Sequence, residues 1–140
     1  MTIEVFKRRR DVSLPRRLSV WLCRLSAIAL FGVGIAYWVR LVGIFDGSLW
    51  RFDLMPLQWR MAAPALAVLC PVAGVGLWMP VSWGIVVWVV AAMIEAFLVF
   101  GLPQGLAAHP AILGGHALAL SLLLALALTD RILRRRADTV

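Results

Sequence analysis

Acidic side chains are scarce in this chain. There are seven Asp and Glu in 140 residues, and charged residues of both signs reach only 15%, against roughly 25% in soluble domains. Cysteine is nearly missing too. Cys23 and Cys70 lack partners at C-x-x-C spacing, which removes the support for a disulfide framework or a structural zinc site and leaves both as small buried hydrophobes. No glycine-rich phosphate loop, no nucleophile elbow and no pair of carboxylates within one apolar segment is found. These gaps leave no catalytic constellation, and the expectation is a protein that is not an enzyme.

What fills the chain is apolar. The hydrophobic set makes up 63% and mean hydropathy is +0.93, against roughly 45–50% apolar usage in soluble domains. One domain of this size has too little interior to hide that much apolar surface from water. A soluble enzyme, a disordered chain, a secreted disulfide scaffold and a nucleic-acid-binding domain are excluded, and a polytopic membrane protein remains. The net charge of +7 fits this class because of where it lies. Lys7, Arg8, Arg9, Arg10, Arg16 and Arg17 precede the first apolar segment, and Arg131, Arg134, Arg135 and Arg136 follow the last. Such juxtamembrane clusters attract anionic lipid headgroups, at about 1 kcal/mol per basic residue.

Four runs are long enough to cross a hydrocarbon core, which takes roughly 20 apolar residues as a helix. They span about 18–45, 57–79, 81–100 and 110–129, between basic tails at 1–17 and 131–140. The first run is too long for the apolar region of a cleaved signal peptide, so it reads as an uncleaved anchor. The fold expected is all-α, a four-transmembrane-helix bundle. The positive-inside rule puts both tails, and hence both termini, in the cytoplasm, as an even number of spans permits. Trp21, Trp78 and Trp83 then form a cytoplasmic aromatic belt, and Trp38, Trp50 and Trp59 an outer one, with Trp88 deeper as packing. Gly32/Ala36, Ala63/Ala67 and Gly115/Ala119 have the small-residue spacing used in helix contacts. Pro64 and Pro71 should kink the second helix or sit where a neighbour covers the freed carbonyls.

Ionisable residues inside a span are costly and draw attention to themselves. Arg40, Arg60, Glu95 and His116 come from the four spans in turn. At 1.5 Å per residue they fall roughly 5–9 Å below the outer boundary. Glu95 should pair with Arg40 or Arg60 or else be neutral, with His116 as a second partner. The cluster reads as a structural polar layer, as a site for a proton, ion, small molecule or lipid headgroup, or as arginines snorkelling to the interface. His109 and His116 lie too far apart to share a metal ion without a bend, and histidines on one span do not suit a haem held between two helices. No metal or other cofactor is expected. Deeper toward the cytoplasm, Arg24 and Asp130 are level enough to pair.

The segment from Leu49 to Pro56 alternates aromatic and charged residues. Trp50, Arg51, Phe52 and Asp53 form either an interfacial re-entry segment or a docking surface for a protein partner, since Trp and Arg are frequent hot-spot residues.

Four stretches carry a family likeness: Trp21 with Arg24; Tyr37-Trp38-Val39-Arg40-Leu41-Val42-Gly43; Leu49-Trp50-Arg51-Phe52-Asp53-Leu54-Met55-Pro56-Leu57-Gln58-Trp59; and Pro71 with Gly76-Leu77-Trp78. Together they resemble an uncharacterised family of small four-span inner-membrane proteins of alphaproteobacteria. The loop motif is the most specific part, and the likeness runs from Trp21 into the fourth span. It implies a multi-pass protein of the bacterial cell inner membrane and no particular activity. The span count and an Arg near the start of the first span also resemble DoxX-type four-helix proteins. The expected function is a non-enzymatic accessory or scaffold subunit of a membrane assembly, with a membrane-protein partner or further copies of itself. The alternative is a small transporter or a ligand- or lipid-binding protein built on the polar cluster.

Overall fold

The computed structural model describes residues 14–47, 50–100 and 110–137. Of the expected basic clusters, Lys7, Arg8, Arg9 and Arg10 lie outside the described residues, as do the side chains of Arg134 and Arg136. His109 lies outside them too. Arg16, Arg17, Arg131 and Arg135 are exposed on end turns of the first and last helices.

Four α-helices carry the described chain: α1 (Leu14–Val42), α2 (Leu57–Trp78), α3 (Ser82–Phe100) and α4 (Pro110–Ala137). All four contain stretches long and apolar enough to cross a membrane. Helices are the expected state, because lipid offers backbone amides and carbonyls no other partner. Helix ends follow local chemistry rather than hydropathy. Pro15 in the first turn of α1 needs no amide partner there, so the helix begins ahead of the apolar run. It stops at Gly43, whose φ of +74° suits a residue without a side chain and whose N–H still reaches the Val39 carbonyl at 3.1 Å. At the other end of the chain, α4 runs through the basic residues to Ala137.

The helices run alternately up and down in a ring. The α1/α2 seam is the most extensive, followed by α2/α3 and α1/α4, and α3/α4 is the thinnest. Small residues let the tight seams close. Ala63, Ala67 and Ala73 of α2 are buried. Gly76 of α2 and Gly84 of α3 back onto each other beside the Pro80 turn, where a Cβ on Gly84 would stand 2.5 Å from the Gly76 backbone. No larger residue fits there without moving a helix. The turn is closed by the Val81 amide donating to the Gly76 carbonyl at 3.1 Å. α2 continues through both Pro64 and Pro71, and the Pro71 ring lies against Gly34 of α1. The other two small-residue pairs behave differently. Gly32, Ala36 and Gly115 are exposed, and a Cβ at Gly32 or Gly115 would meet nothing within 4 Å.

Candidate functional site

Four buried side chains with polar atoms form a continuous hydrogen-bonded chain across the ring. Trp88 and Glu95 lie seven residues apart on one face of α3, and both are buried. His116 of α4 fits between them. The Trp88 indole Nε1–H donates to His116 Nδ1 at 2.8 Å, and His116 Nε2 meets Glu95 Oε2 at 2.8 Å. From α1 the Tyr37 hydroxyl donates to Glu95 Oε1 at 3.1 Å. The four residues are at most 7% exposed.

Donor and acceptor counting sets the direction of these bonds. An indole N–H can only donate, so Nδ1 of His116 must accept. In a neutral imidazole the hydrogen then sits on Nε2 and is given to Glu95. An imidazolium would bring two donors face to face at Nδ1. Glu95 receives one donor on each oxygen, the arrangement that suits a carboxylate, and no polar atom of Glu95 or His116 is left without a partner.

These polar bonds fall where apolar packing is weakest. Two of them close the thin α3/α4 seam, and the third links α1 to α3, which face each other across the ring. Interhelical polar bonds in membranes are worth about 0.6 kcal/mol on average and up to about 1.7. Breaking a buried pair by deleting one partner costs more, because the survivor is left without a partner in low dielectric.

Of the four ionisable residues expected at one depth, the structure brings together Glu95 and His116 and sets the arginines in a second layer. Arg40 lies one helical turn above Tyr37. Its guanidinium stands among the rings of Tyr37, Trp50 and Trp59, at 5.4, 4.9 and 5.5 Å from their centres. Its Nε is buried and has no hydrogen-bond partner among the described residues. Arg60 turns toward the loop instead. Its Nη2 and Nε donate to the carbonyls of Asp53 at 2.8 Å and Phe52 at 3.3 Å, within a single turn of 3₁₀ helix at Phe52–Leu54. Tyr37 lies deeper than either arginine and occupies the place beside Glu95, while long guanidinium stems reach loop carbonyls and rings above.

The loop is internally tied. Arg51 donates to both carboxylate oxygens of Asp53, at 3.1 and 2.9 Å, and lies 3.9 Å from Asp46. The guanidinium beside it holds the Asp53 carboxyl below the usual carboxylate range. Trp50 turns inward over Arg40 and meets Phe45 edge-on, and Met55 is buried beneath. Phe52, Asp53 and Leu54 are left exposed. On the opposite side of the bundle, Arg24 stacks near Trp21 and Trp78, at 5.9 and 5.7 Å from the ring centres, and Asp130 is half-buried near the far end of α4.

Two members of the polar chain lie outside the expected cluster, Tyr37 and Trp88. A signal for each is present in the sequence. A phenol or indole deep in a span must find a partner for its polar hydrogen. Trp88 lies two turns from Glu95 on the same face, and Tyr37 lies one turn from Arg40. Trp59, expected in an interfacial belt, is wholly buried and forms one wall around Arg40.

Residues 17–134 match the model of a family described as Family of unknown function (DUF6163). The match takes in α2, α3, nearly all of α1 and α4, and the polar chain. The chain belongs to this family. No curated protein and no solved structure matches it. Among the described residues no three His, Cys, Asp or Glu side chains gather as a metal set.

Proposed function

We propose that this chain is a non-enzymatic accessory or scaffold subunit of a membrane assembly, in a bacterial inner membrane with both termini cytoplasmic. The observation that carries this reading is the closure of the polar chain. Trp88, His116, Glu95 and Tyr37 spend their donors and acceptors on one another, across helices, and are buried. Groups committed in this way hold a fold together. A transport site would need them to face a water-filled path. The basic residues at both ends suit anionic headgroups on one face of the membrane, as the positive-inside rule requires. The partner surface in this reading is the exposed edge of the loop, Phe52, Asp53 and Leu54, held rigid by Arg51 and Arg60. A rigid apolar edge loses little entropy on docking.

The test is affinity purification in mild detergent with mass spectrometry. It compares the native chain, a Phe52→Ala/Leu54→Ala variant and a Glu95→Gln variant. A defined membrane partner that the loop variant alone loses supports the scaffold role. A transport or growth defect of Glu95→Gln in protein that still accumulates normally, with no partner found, overturns it in favour of a working polar site.

A further inference from the structure

Gly32 and Ala36 of α1 and Gly115 of α4 face a gap, while Ala119 at its edge is half-buried against the core. Between α1 and α4 lies a cleft in two adjoining parts, of about 220 and 290 Å³, which share Ala29, Val33 and Ile112. The inner part closes on Ser26, Trp88 and His116. The outer part runs past Gly32 and Ala36 and ends at Arg40. From Ser26 to Arg40 the helix rises about 21 Å, more than the roughly 15 Å of one leaflet's share of the hydrocarbon core.

The cleft is therefore amphipathic along its length. Its floor is apolar, it opens sideways at Ala29, Gly32 and Ala36, and a cation stands at the end nearest the loop. That cation is incompletely satisfied. Among the described residues Arg40 has ring contacts, no hydrogen bond and no ion pair, while Arg51 and Arg60 beside it are bonded to carboxylate and carbonyl oxygens. An aromatic surround lowers the cost of holding a guanidinium but supplies no counter-charge. A packed helix would fill the slot but would answer Arg40 only if it carried an acidic side chain at that level. A lipid brings both a tail and a charge.

We propose that the α1/α4 cleft is a binding site for one anionic phospholipid, with an acyl chain lying along Gly32 and Gly115 and the phosphate bound by Arg40. Guanidinium and phosphate form short charge-assisted hydrogen bonds. This site is separate from lipid attraction by the basic tails, which is diffuse and needs no cleft. It holds whether or not the chain acts as a scaffold.

The experiment is native mass spectrometry of the full chain, purified in mild detergent and supplied with phosphatidylglycerol or phosphatidylcholine of identical chains. The native chain should keep one phosphatidylglycerol and prefer it over phosphatidylcholine by about tenfold, the size expected for one charge-assisted contact. Gly32→Leu and Gly115→Leu each add a side chain where open space exists, so both should fold, as thermal melting will show, and lose the bound lipid of either kind. Ala36→Leu serves if either fails to fold. Arg40→Gln should keep a lipid but lose the headgroup preference. Val86→Leu, which also places a leucine on an exposed helix face but on α3, should alter nothing. Retention of phosphatidylglycerol by the cleft-filling variants at the native ratio overturns the proposal. So does a lipid-free native chain whose dimer is broken by Gly32→Leu, since a second copy then fills the cleft.

Discussion

α2 and α4 are both apolar enough to cross a membrane, yet they join the bundle in opposite ways. Within the apolar window of α2, 44% of residues are buried; in that of α4, only 6%. α2 packs by shape, with alanines and glycines pressed against α1 on one side and α3 on the other. Among its described side chains α4 buries His116 alone, and that residue is polar. In lipid, where apolar surface gains nothing from leaving solvent, a helix can be held by many close contacts or by a few bonds that hydrocarbon cannot replace. The molecule uses both devices, the second where the first is missing.

The largest expected effect comes from removing the one bond-maker of α4. His116→Ala leaves Glu95 and Trp88 without a partner on that side and should cost about 3–5 kcal/mol. Limited proteolysis should show α4 releasing before the other three helices, and an α4 as protected as in the native chain would refute the comparison. Gly84→Val attacks packing instead. It should cost about 1–3 kcal/mol by forcing α2 from α3, read as a lower midpoint in thermal melting. The same kind of change on α4, Gly114→Ala, meets open space and should be neutral or stabilising by up to about 1 kcal/mol through helix propensity. A destabilised Gly114→Ala protein would mean that a neighbour packs against this face of α4. Tyr37→Phe removes one of the two donors to Glu95 and should cost about 1 kcal/mol, with α4 still attached because the His116 bonds remain.

The smallest effect lies in the loop. Its Arg51–Asp53 pair is exposed, and such pairs contribute little. Asp53 ionises below the ordinary carboxylate range when folded, so the pair's contribution is present at neutral pH and is lost as pH falls through that lowered value. In an Arg51→Ala chain the Asp53 carboxyl should titrate back in the ordinary range, followed by its carboxyl NMR shift. An unchanged titration would remove Arg51 as the cause.

The class of the molecule was legible in bulk properties, because apolar runs of spanning length admit one backbone state. Helix ends were less so. Gly43 ends α1 before the apolar run is over, and α4 continues beyond its own, since helicity near a membrane surface does not need apolar side chains. The pairing of Glu95 with His116 could be read from their common depth. The separation of Arg40 and Arg60 from them could not, because depth along an axis says nothing about which way a long side chain turns. Tyr37 and Trp88 are hidden for a related reason: their rings count as apolar bulk in a span, although each carries one polar hydrogen. The cleft was the least visible, since Gly32/Ala36 and Gly115/Ala119 have the spacing of closed contacts and line a gap instead.

The isolation of His116 has a consequence for how the fourth helix finds its place. Its sequence around that point is a near-repeat of leucine and alanine, a surface that could slide along its neighbours with little change in contact. One turn in either direction would set Ile112 or Leu120 opposite Glu95 and leave a buried carboxylate and an indole N–H facing hydrocarbon. The imidazole therefore works as a register key. It discriminates among alignments that packing leaves nearly equal, and α4 can stay smooth and greasy while still stopping at one position.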